Sequence, residues 1–211
     1  KNRFAILQAL TRLRQICCHP SLVGAGDDDG AKLTAVLELI EELHAEGHKV
    51  LLFSQFVRML TILRERLEKM DIPCHWLTGA TNDRASVVKA FQEDEKASVF
   101  LLSLKAGGSG LNLTAASYVI LYDPWWNPAV EAQAIDRAHR IGQTQPVMAY
   151  RMITKGTIEE KILTLQQKKQ MMSANILGEE GFSKSLGRDD FAYLFDLERE
   201  EAAWQEELKG G

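Results

Sequence analysis

Three side chains suited to binding an anion lie close together in the second half of this 211-residue chain. Gln133, Arg137 and Arg140 stand at positions i, i+4 and i+7, a spacing that predicts one shared face of a helix. A row of planar donors is typical of a site for a phosphate or a carboxylate. The alternative is an exposed face on which Asp136 pairs with Arg140, an arrangement worth only about 0.3 to 0.5 kcal/mol.

The elements that must position this row alternate regularly between helix and strand. Asn127 and Pro128 predict the start of the helix that carries the row, and Gly142 predicts its end. Changes in hydrophobic period predict helices at 3–18, 31–47, 57–70, 82–93 and 128–140, and strands at 50–54, 73–77, 98–103, 118–122 and 147–153. Strands separated by helices predict an α/β fold, in which helices cover both faces of a parallel sheet.

Ligands of such sheets gather at the carboxyl ends of the strands, so the loops that begin there carry the functional signal. These loops contain small hydroxyl residues, glycines, amides and bases, which contact phosphates through backbone N–H groups or short side chains. They are Gln55-Phe56, 78–84, 104–113 and 124–128.

The glycine-rich loop at 104–113 matches neither common phosphate-binding pattern. The chain contains no GxxxxGK[ST] sequence, which excludes a P-loop, and GGSGLNL is not GxGxxG. A close-approach turn without a ligand is an equally good interpretation of this loop alone. The acidic pair Asp94-Glu95 follows polar residues and is interpreted as a helix end, not as a magnesium motif.

Two adjacent tryptophans, Trp125 and Trp126, are predicted to lie in a loop, where an exposed indole is unfavourable unless something covers it. One can pack against the edge of the sheet. The other can stack on or wedge against nucleic acid.

Composition narrows the class of protein. The content of 45% hydrophobic residues is enough for a core, and no apolar run reaches the roughly 18 residues of a membrane span, so no membrane association and an intracellular location are expected. Three cysteines without CxxC spacing predict neither a disulfide framework nor a metal site. The net charge is −4, but residues 179–207 carry −7, which leaves +3 elsewhere and keeps nucleic acid possible.

Taken in order, six segments resemble the second RecA-like lobe of Swi/Snf-type ATPases. The similarity extends over about residues 3–175 and is expected to be to a bacterial member. Lys105 stands where many members carry arginine. This chain has two adjacent tryptophans, Trp125 and Trp126, where the DWNP pattern of the family has one. The segments are LRQICCHPSL (13–22), FSQF (53–56), LTGAT (77–81), SLKAGGSGLNLTAA (103–116), YDPWWNP (122–128) and QAIDRAHRIGQ (133–143).

This resemblance implies half of a two-lobed DNA-dependent ATPase with a three-layer RecA-like sheet. ATP with Mg would be bound mainly by the first lobe of the same polypeptide, so the isolated chain is expected not to hydrolyse ATP. Arg137 and Arg140 are similar to the arginine fingers of the family, which are worth about 10³ to 10⁵ in rate, with Gln133 beside them. Gly108, Gly110 and Asn112 would lie nearest the nucleotide.

The resemblance also implies contacts with double-stranded DNA. These contacts would be made to the phosphate backbone and would therefore be independent of sequence and sensitive to salt. Trp126 would support the tracked strand, whereas Trp125 would pack. The residues implied as DNA contacts are Ser54, Gln55, Thr78, Ser103, Lys105, Gly107 and Trp126.

Three regions are predicted: a helical lead-in at 1–31, the lobe at 32–155, and a helical brace with an acidic extension at 156–211. Thr157 is expected to cap a helix whose apolar stripe includes Ile158, Ile162, Leu165 and Met172. The acidic segment 189–208 is interpreted either as an exposed terminal helix or as a segment that docks back or contacts another protein.

Two other functions remain open at the level of sequence. One is the second lobe of a helicase that separates strands, and the other is a non-catalytic lobe that binds partners. The lead-in helix and the WWNP segment favour a translocase over the first, and the complete QAIDRAHRIGQ segment argues against the second.

Overall fold

A computed structural model describes residues 2–96, 99–107, 111–139, 143, 146–172 and 186–195. Its sheet has five strands, all of them parallel, in the order β2-β3-β1-β4-β5. This arrangement confirms the predicted α/β class, and every predicted strand is present. The strands are β1 (Val50–Ser54), β2 (Cys74–Leu77), β3 (Val99–Ser103), β4 (Tyr118–Leu121) and β5 (Met148–Arg151).

The helices follow the predicted alternation, with two differences. The helix expected over 128–140 ends at Asp136, with Arg137 as its C-terminal cap, so its predicted end is wrong, and Arg140 lies outside the described residues. A short helix directly after β3 was not predicted. The helices are α1 (Asn2–Cys18), α2 (Gly30–Ala45), α3 (Val57–Lys69), α4 (Arg84–Glu93), α5 (Leu104–Gly107), α6 (Pro128–Asp136), α7 (Ile158–Met172) and α8 (Arg188–Phe195).

The ends of two helices agree with their predicted signals. His19 separates α1 from a short 3-10 helix (Pro20–Val23), and its Nδ1 accepts a hydrogen bond from the Ser21 N–H at 3.2 Å. Asp94 follows the last residue of α4 as its C-terminal cap, which confirms that the acidic pair is a helix end.

Each face of the sheet carries its own apolar core. Alternating strand residues such as Leu52 and Leu101 pack with α2 and α3, whereas Phe53 and Leu102 pack on the opposite face with α4, α5 and α6. Strands buried on both faces read as continuous apolar runs, which explains the sequences VLLFS and VFLLS. The three-layer architecture is therefore confirmed.

A third apolar cluster joins the two ends of the described chain beside the sheet. It contains Leu10 of α1, Ile162 of α7 and Leu194 of α8, together with Trp126. Thr157 begins α7 as predicted, because its hydroxyl oxygen accepts a hydrogen bond from the Glu159 N–H at 3.2 Å.

The described part of the acidic segment docks on this third cluster, since Leu194 is buried there and the aromatic side chains of α8 pack beside it. The side chain of Met172 and residues 196–208 lie outside the described residues. Among the residues that are described, every helix is too short or too polar to cross a membrane.

Candidate functional site

The carboxyl ends of β1 and β4 lie side by side because these central strands pair in parallel, with Phe53 opposite Leu121. The pairing continues one step further, where the Tyr122 N–H donates to the Phe53 carbonyl at 2.9 Å. As a result, the loop that follows β4 lies against the Ser54-Gln55 turn that follows β1. This edge is the place at which open α/β sheets bind ligands.

Asp123 connects the two loops. Its Oδ1 accepts a hydrogen bond from the Ser54 hydroxyl at 2.5 Å, and its Oδ2 accepts one from the Gln55 side-chain amide at 2.5 Å. Only 1% of Asp123 is exposed. A buried carboxylate is stable when it accepts hydrogen bonds. The Ser54 and Gln55 donors therefore stabilise Asp123, and Asp123 in turn fixes their orientation.

Ser54 is fully buried, and both of its hydrogen-bonding roles are filled. Its hydroxyl donates to Asp123 and accepts from the Phe56 N–H at 3.1 Å. It has no exposed atom to offer a phosphate. This packing argues against the phosphate contact predicted for Ser54 and favours a role in shaping the turn.

Arg14 of the lead-in helix fixes the next part of the loop. Its guanidinium donates to the Pro124 carbonyl at 2.8 Å and lies 4.7 Å from the centre of the Trp126 ring and 5.8 Å from that of Phe56. Although it is an arginine, only 2% of Arg14 is exposed. The lead-in is therefore bound to the functional edge of the sheet by a cation–π contact and a charged hydrogen bond.

The two tryptophans are both covered. Trp125 packs in the core beneath α6, as predicted, and Trp126 lies in the third cluster against α1 and α7. Each is 6% exposed. This burial disfavours the predicted contact of Trp126 with nucleic acid, because its ring faces are occupied by protein.

Glu131 holds the far end of the same loop. Its carboxylate accepts the Trp125 N–H at 2.8 Å and pairs with Arg151 at the end of β5. Burial raises the pKa of Glu131, while the hydrogen bond from Trp125 and the charge of Arg151 oppose that shift. The segment between β4 and α6 is thus anchored at both ends by buried carboxylates.

The loop delivers the chain into α6, which begins as predicted. The Asn127 side chain accepts the Ala129 N–H at 2.9 Å, and Pro128 occupies the first turn. Gln133 is exposed on this helix. Arg137 forms its C-terminal cap and is 6% exposed.

The end of α6 is bonded directly to the glycine-rich loop. The Leu113 N–H donates to the Arg137 carbonyl at 3.0 Å, which places Asn112, an exposed residue, next to the end of the helix. This contact brings Asn112 close to Arg137, two of the residues that the resemblance implies as nucleotide contacts. The predicted residues Gly108, Gly110 and Arg140 lie outside the described residues.

Thr78 follows β2 and Ser103 ends β3 at the same edge, and both are buried, at 4% and 3% exposed. The Thr78 hydroxyl oxygen accepts the Ala80 N–H at 3.3 Å, and that of Ser103 accepts the Ala106 N–H at 3.3 Å. In contrast to Ser54, neither hydroxyl donates to an acceptor in the described part of the chain. Gly107 ends α5, and the side chain of Lys105 lies outside the described residues.

The cysteines do not form a reactive centre. Burial raises the pKa of the Cys17, Cys18 and Cys74 thiols, so each is protonated near neutral pH. Within the part of the chain that the structure describes, no three His, Cys, Asp or Glu side chains are arranged to hold a metal ion.

The sequence did not single out Asp123 or Arg14. Asp123 could have been found, because it directly follows a buried strand and lies at the edge where ligands bind. Arg14 carries no such signal, since an arginine on an amphipathic helix is typical of an exposed face.

Comparison with known proteins agrees with this geometry. Residues 31–142 match the family described as the helicase conserved C-terminal domain. The chain is 42% identical over 206 residues to the Bacillus subtilis protein YwqA, named as an ATP-dependent helicase/translocase, covering 93% of this chain and 22% of YwqA. It is 50% identical over 136 residues to the chromatin-remodeling ATPase INO80 of Aspergillus oryzae, covering 64% of this chain and 9% of INO80. The chain thus spans about a fifth or less of these curated relatives.

Solved structures show the same relationship. The C-terminal domain of the Sulfolobus solfataricus SWI2/SNF2 ATPase superimposes with a TM-score of 0.73 at 32% identity, over 91% of this chain and 81% of that one. The core of that ATPase in complex with double-stranded DNA gives a TM-score of 0.76 at 35% identity, over 91% of this chain and 42% of that one. The chain therefore belongs to the helicase conserved C-terminal domain family and is a C-terminal lobe of the SWI2/SNF2 ATPase type.

Proposed function

We propose that this chain is the second motor lobe of an ATP-dependent translocase that moves along double-stranded DNA without reading its sequence. The observation that carries the proposal is the hydrogen bond between Leu113 and Arg137, which joins the glycine-rich loop to the end of α6. It supports the proposal because it brings Asn112 next to Arg137, two of the residues that the resemblance implies as nucleotide contacts. A first lobe would provide the remaining ATP contacts and Mg there.

In this proposal, Arg137 and Arg140 neutralise charge on the phosphoryl group as ATP is cleaved in the cleft between two lobes. Arg137 is buried within this lobe. Its side chain must therefore change conformation to reach a nucleotide carried by the other lobe. Gln133 is already exposed on α6. Because the phosphate cradle and the metal ligand would belong to the other lobe, the isolated chain should not hydrolyse ATP.

Steady-state release of phosphate, measured in the presence of duplex DNA, tests this assignment. In a polypeptide that contains both lobes, Arg140→Ala should lower kcat by about 10³-fold or more. The matched control is Arg64→Ala, which removes an exposed arginine of α3 that pairs with Glu68 at 2.8 Å, and it should leave kcat unchanged. ATP hydrolysis by the isolated 211-residue chain that disappears with Arg140→Ala would contradict the proposal.

DNA binding provides a second test, which the isolated chain can undergo. Phosphate contacts release counterions, so the logarithm of the binding constant should fall linearly with the logarithm of salt concentration, by about 0.9 per contact. Lys105→Ala should lower the magnitude of this slope by about one contact. Lys89→Ala, a change at an exposed lysine of α4, should not. Preference for one duplex sequence by more than a few fold would contradict backbone binding.

Translocation without strand separation distinguishes this proposal from a conventional helicase. In the two-lobe polypeptide, displacement of a triplex-forming strand should depend on ATP, whereas a tailed duplex should not be unwound. Unwinding of the duplex at a comparable rate would replace the translocase assignment with that of a strand-separating helicase.

A further inference from the structure

The side-chain amide of Gln55 has a defined orientation in this lobe. Its nitrogen lies 2.5 Å from Asp123 Oδ2 and 3.5 Å from the Pro124 carbonyl oxygen. A carboxylate and a carbonyl can only accept hydrogen bonds, so the nitrogen end of the amide, and not the oxygen end, must face them. Both N–H groups of the Gln55 amide are therefore directed into the protein.

The oxygen end of the same amide is turned the other way. Gln55 is half-buried, and its Oε1 is neither enclosed nor bonded to a donor in the described part of the chain. The backbone N–H of Gln55 is also directed to Asp123 Oδ2, at 3.4 Å. What Gln55 presents outside the lobe is thus an acceptor.

An outward acceptor is unsuited to a phosphate. The outer surface of duplex DNA is lined by phosphate oxygens, which accept hydrogen bonds and carry negative charge. A carboxamide oxygen placed against them gains no hydrogen bond and is repelled. The geometry therefore conflicts with the phosphate contact that the sequence predicted for Gln55.

We propose that Asp123 is a positioning residue that determines specificity at this edge, because it keeps the donors of Ser54 and Gln55 turned inward and so prevents them from binding phosphate. The phosphate contacts then fall to other groups at this edge, among them Lys105. This inference rests on the proposed function, since it concerns how the lobe binds DNA.

Replacement of the carboxylate by its amide reverses the orientation without changing the shape. In Asp123→Asn, Oδ1 stays on the Ser54 side, because the fully buried Ser54 hydroxyl would otherwise have no acceptor for its proton, and the new NH₂ group then faces Gln55, where it needs an acceptor. The Gln55 amide satisfies it by rotating so that its oxygen points inward and its nitrogen points outward. The variant should therefore turn a phosphate donor toward the DNA.

The test is a double-mutant cycle of DNA affinity in the 211-residue chain, measured with a labelled duplex over a series of salt concentrations. Gln55→Ala alone should change the Kd by less than about twofold. Asp123→Asn should tighten binding by about threefold to tenfold and add about 0.9 to the salt slope. In the Gln55→Ala background, the gain in affinity from Asp123→Asn should be smaller by at least about threefold. Only the loss of the Asp123 charge can then contribute, because there is no Gln55 amide to rotate.

Two results would overturn the inference. One is a loss of about fivefold or more in affinity for Gln55→Ala with Asp123 intact, since it would show that Gln55 donates to phosphate directly. The other is an equal effect of Asp123→Asn with and without Gln55, which would show a charge effect or a general structural role. If Asp123→Asn does not fold, Gln55→Ala and Gln55→Met decide the question by themselves. Failure of the unchanged chain to bind any duplex would instead count against the proposed function.

Discussion

Two buried cations attach helices to the same segment after β4, and they do so by different chemistry. Lys32 of α2 is bonded to both oxygens of Glu159, at 2.6 and 2.5 Å, and to the Tyr122 carbonyl at 3.3 Å. Arg14 of α1 is bonded to the Pro124 carbonyl and lies over the Trp126 ring. The first is an ion pair with a single carboxylate, whereas the contacts of the second include a backbone carbonyl and two aromatic rings.

The difference reflects how each cation is hydrated. An ammonium group is compact and strongly hydrated, so its burial is tolerated only with a full countercharge. A guanidinium is planar and more weakly hydrated, and it can be accommodated by stacking and directed hydrogen bonds. We therefore expect Lys32 to depend on one residue and Arg14 to depend on the shape of its surroundings.

Loss of the countercharge should have the largest effect. Glu159 is fully buried, so Glu159→Ala leaves the Lys32 charge without compensation and should lower the free energy of unfolding by about 3 to 5 kcal/mol. Urea denaturation measures this change. The matched control is the double change Lys32→Met with Glu159→Met, which should recover most of the loss because no charge remains buried. A loss below about 1 kcal/mol for Glu159→Ala would contradict the dependence on one carboxylate.

Removal of Arg14 should have the next largest effect. Arg14→Ala should lower the free energy of unfolding by about 1.5 to 3 kcal/mol, the range for a hydrogen bond from a charged group. Arg14→Lys should recover less than half of this, since lysine cannot stack its charge flat on Trp126. Urea denaturation followed by tryptophan fluorescence measures both changes, with the exposed residue Arg12, changed to alanine, as the control. Full recovery by lysine would remove the distinction between the two cations.

The buried carboxylate of Glu131 allows a further test, in which stability is measured against pH. Burial raises the pKa of Glu131 above its ordinary value of 4.5, so the folded state holds this proton more tightly than the unfolded state. The resulting stabilisation is complete below the ordinary pKa and is lost as the pH rises through the raised value. The unchanged protein should therefore lose stability as the pH rises from the ordinary pKa through the raised pKa, and Glu131→Gln should lose less over the same range. Parallel curves for the two proteins in urea denaturation at each pH would contradict this prediction.

The smallest effect is expected for an exposed pair. Arg64 and Glu68 of α3 lie 2.8 Å apart, and both are more than half exposed. Glu68→Ala should cost only about 0.3 to 0.5 kcal/mol, and about 1 M salt should remove most of that difference by screening. The cost of Glu159→Ala should persist at the same salt concentration, because the Lys32 pair is enclosed. An equal response of both pairs to salt would contradict the contrast.

The sheet could be predicted from the sequence because its signals are local. The apolar runs at 50–54 and 99–103 are typical of strands buried on both faces, and the structure confirms them. The start of α6 was equally local, since Asn127 caps it and Pro128 presets its first turn. Its end was not. Spacing alone cannot show that the Arg137 carbonyl bonds to Leu113, a contact that depends on the packing of a distant loop.

Candidate site residues were harder to predict than the fold. Residue type and position correctly placed Ser54, Gln55 and Thr78 at one edge of the sheet, but they did not show which groups are already bonded within the protein. Ser54 and Gln55 are bonded to Asp123 in the structure, and this depends on the pairing of β1 with β4. The burial of Trp126 likewise depends on a helix more than 100 residues earlier in the chain.

The third cluster also has a consequence for the order in which the chain folds. Its members Leu10, Trp126 and Leu194 are far apart in sequence, so closing it requires long loops that form slowly. The strands and the helices between them are nearer in sequence and can assemble first. We therefore expect α1 to open and close as a separate unit on an intact sheet, with amide hydrogens that exchange through smaller free-energy openings than those of β1.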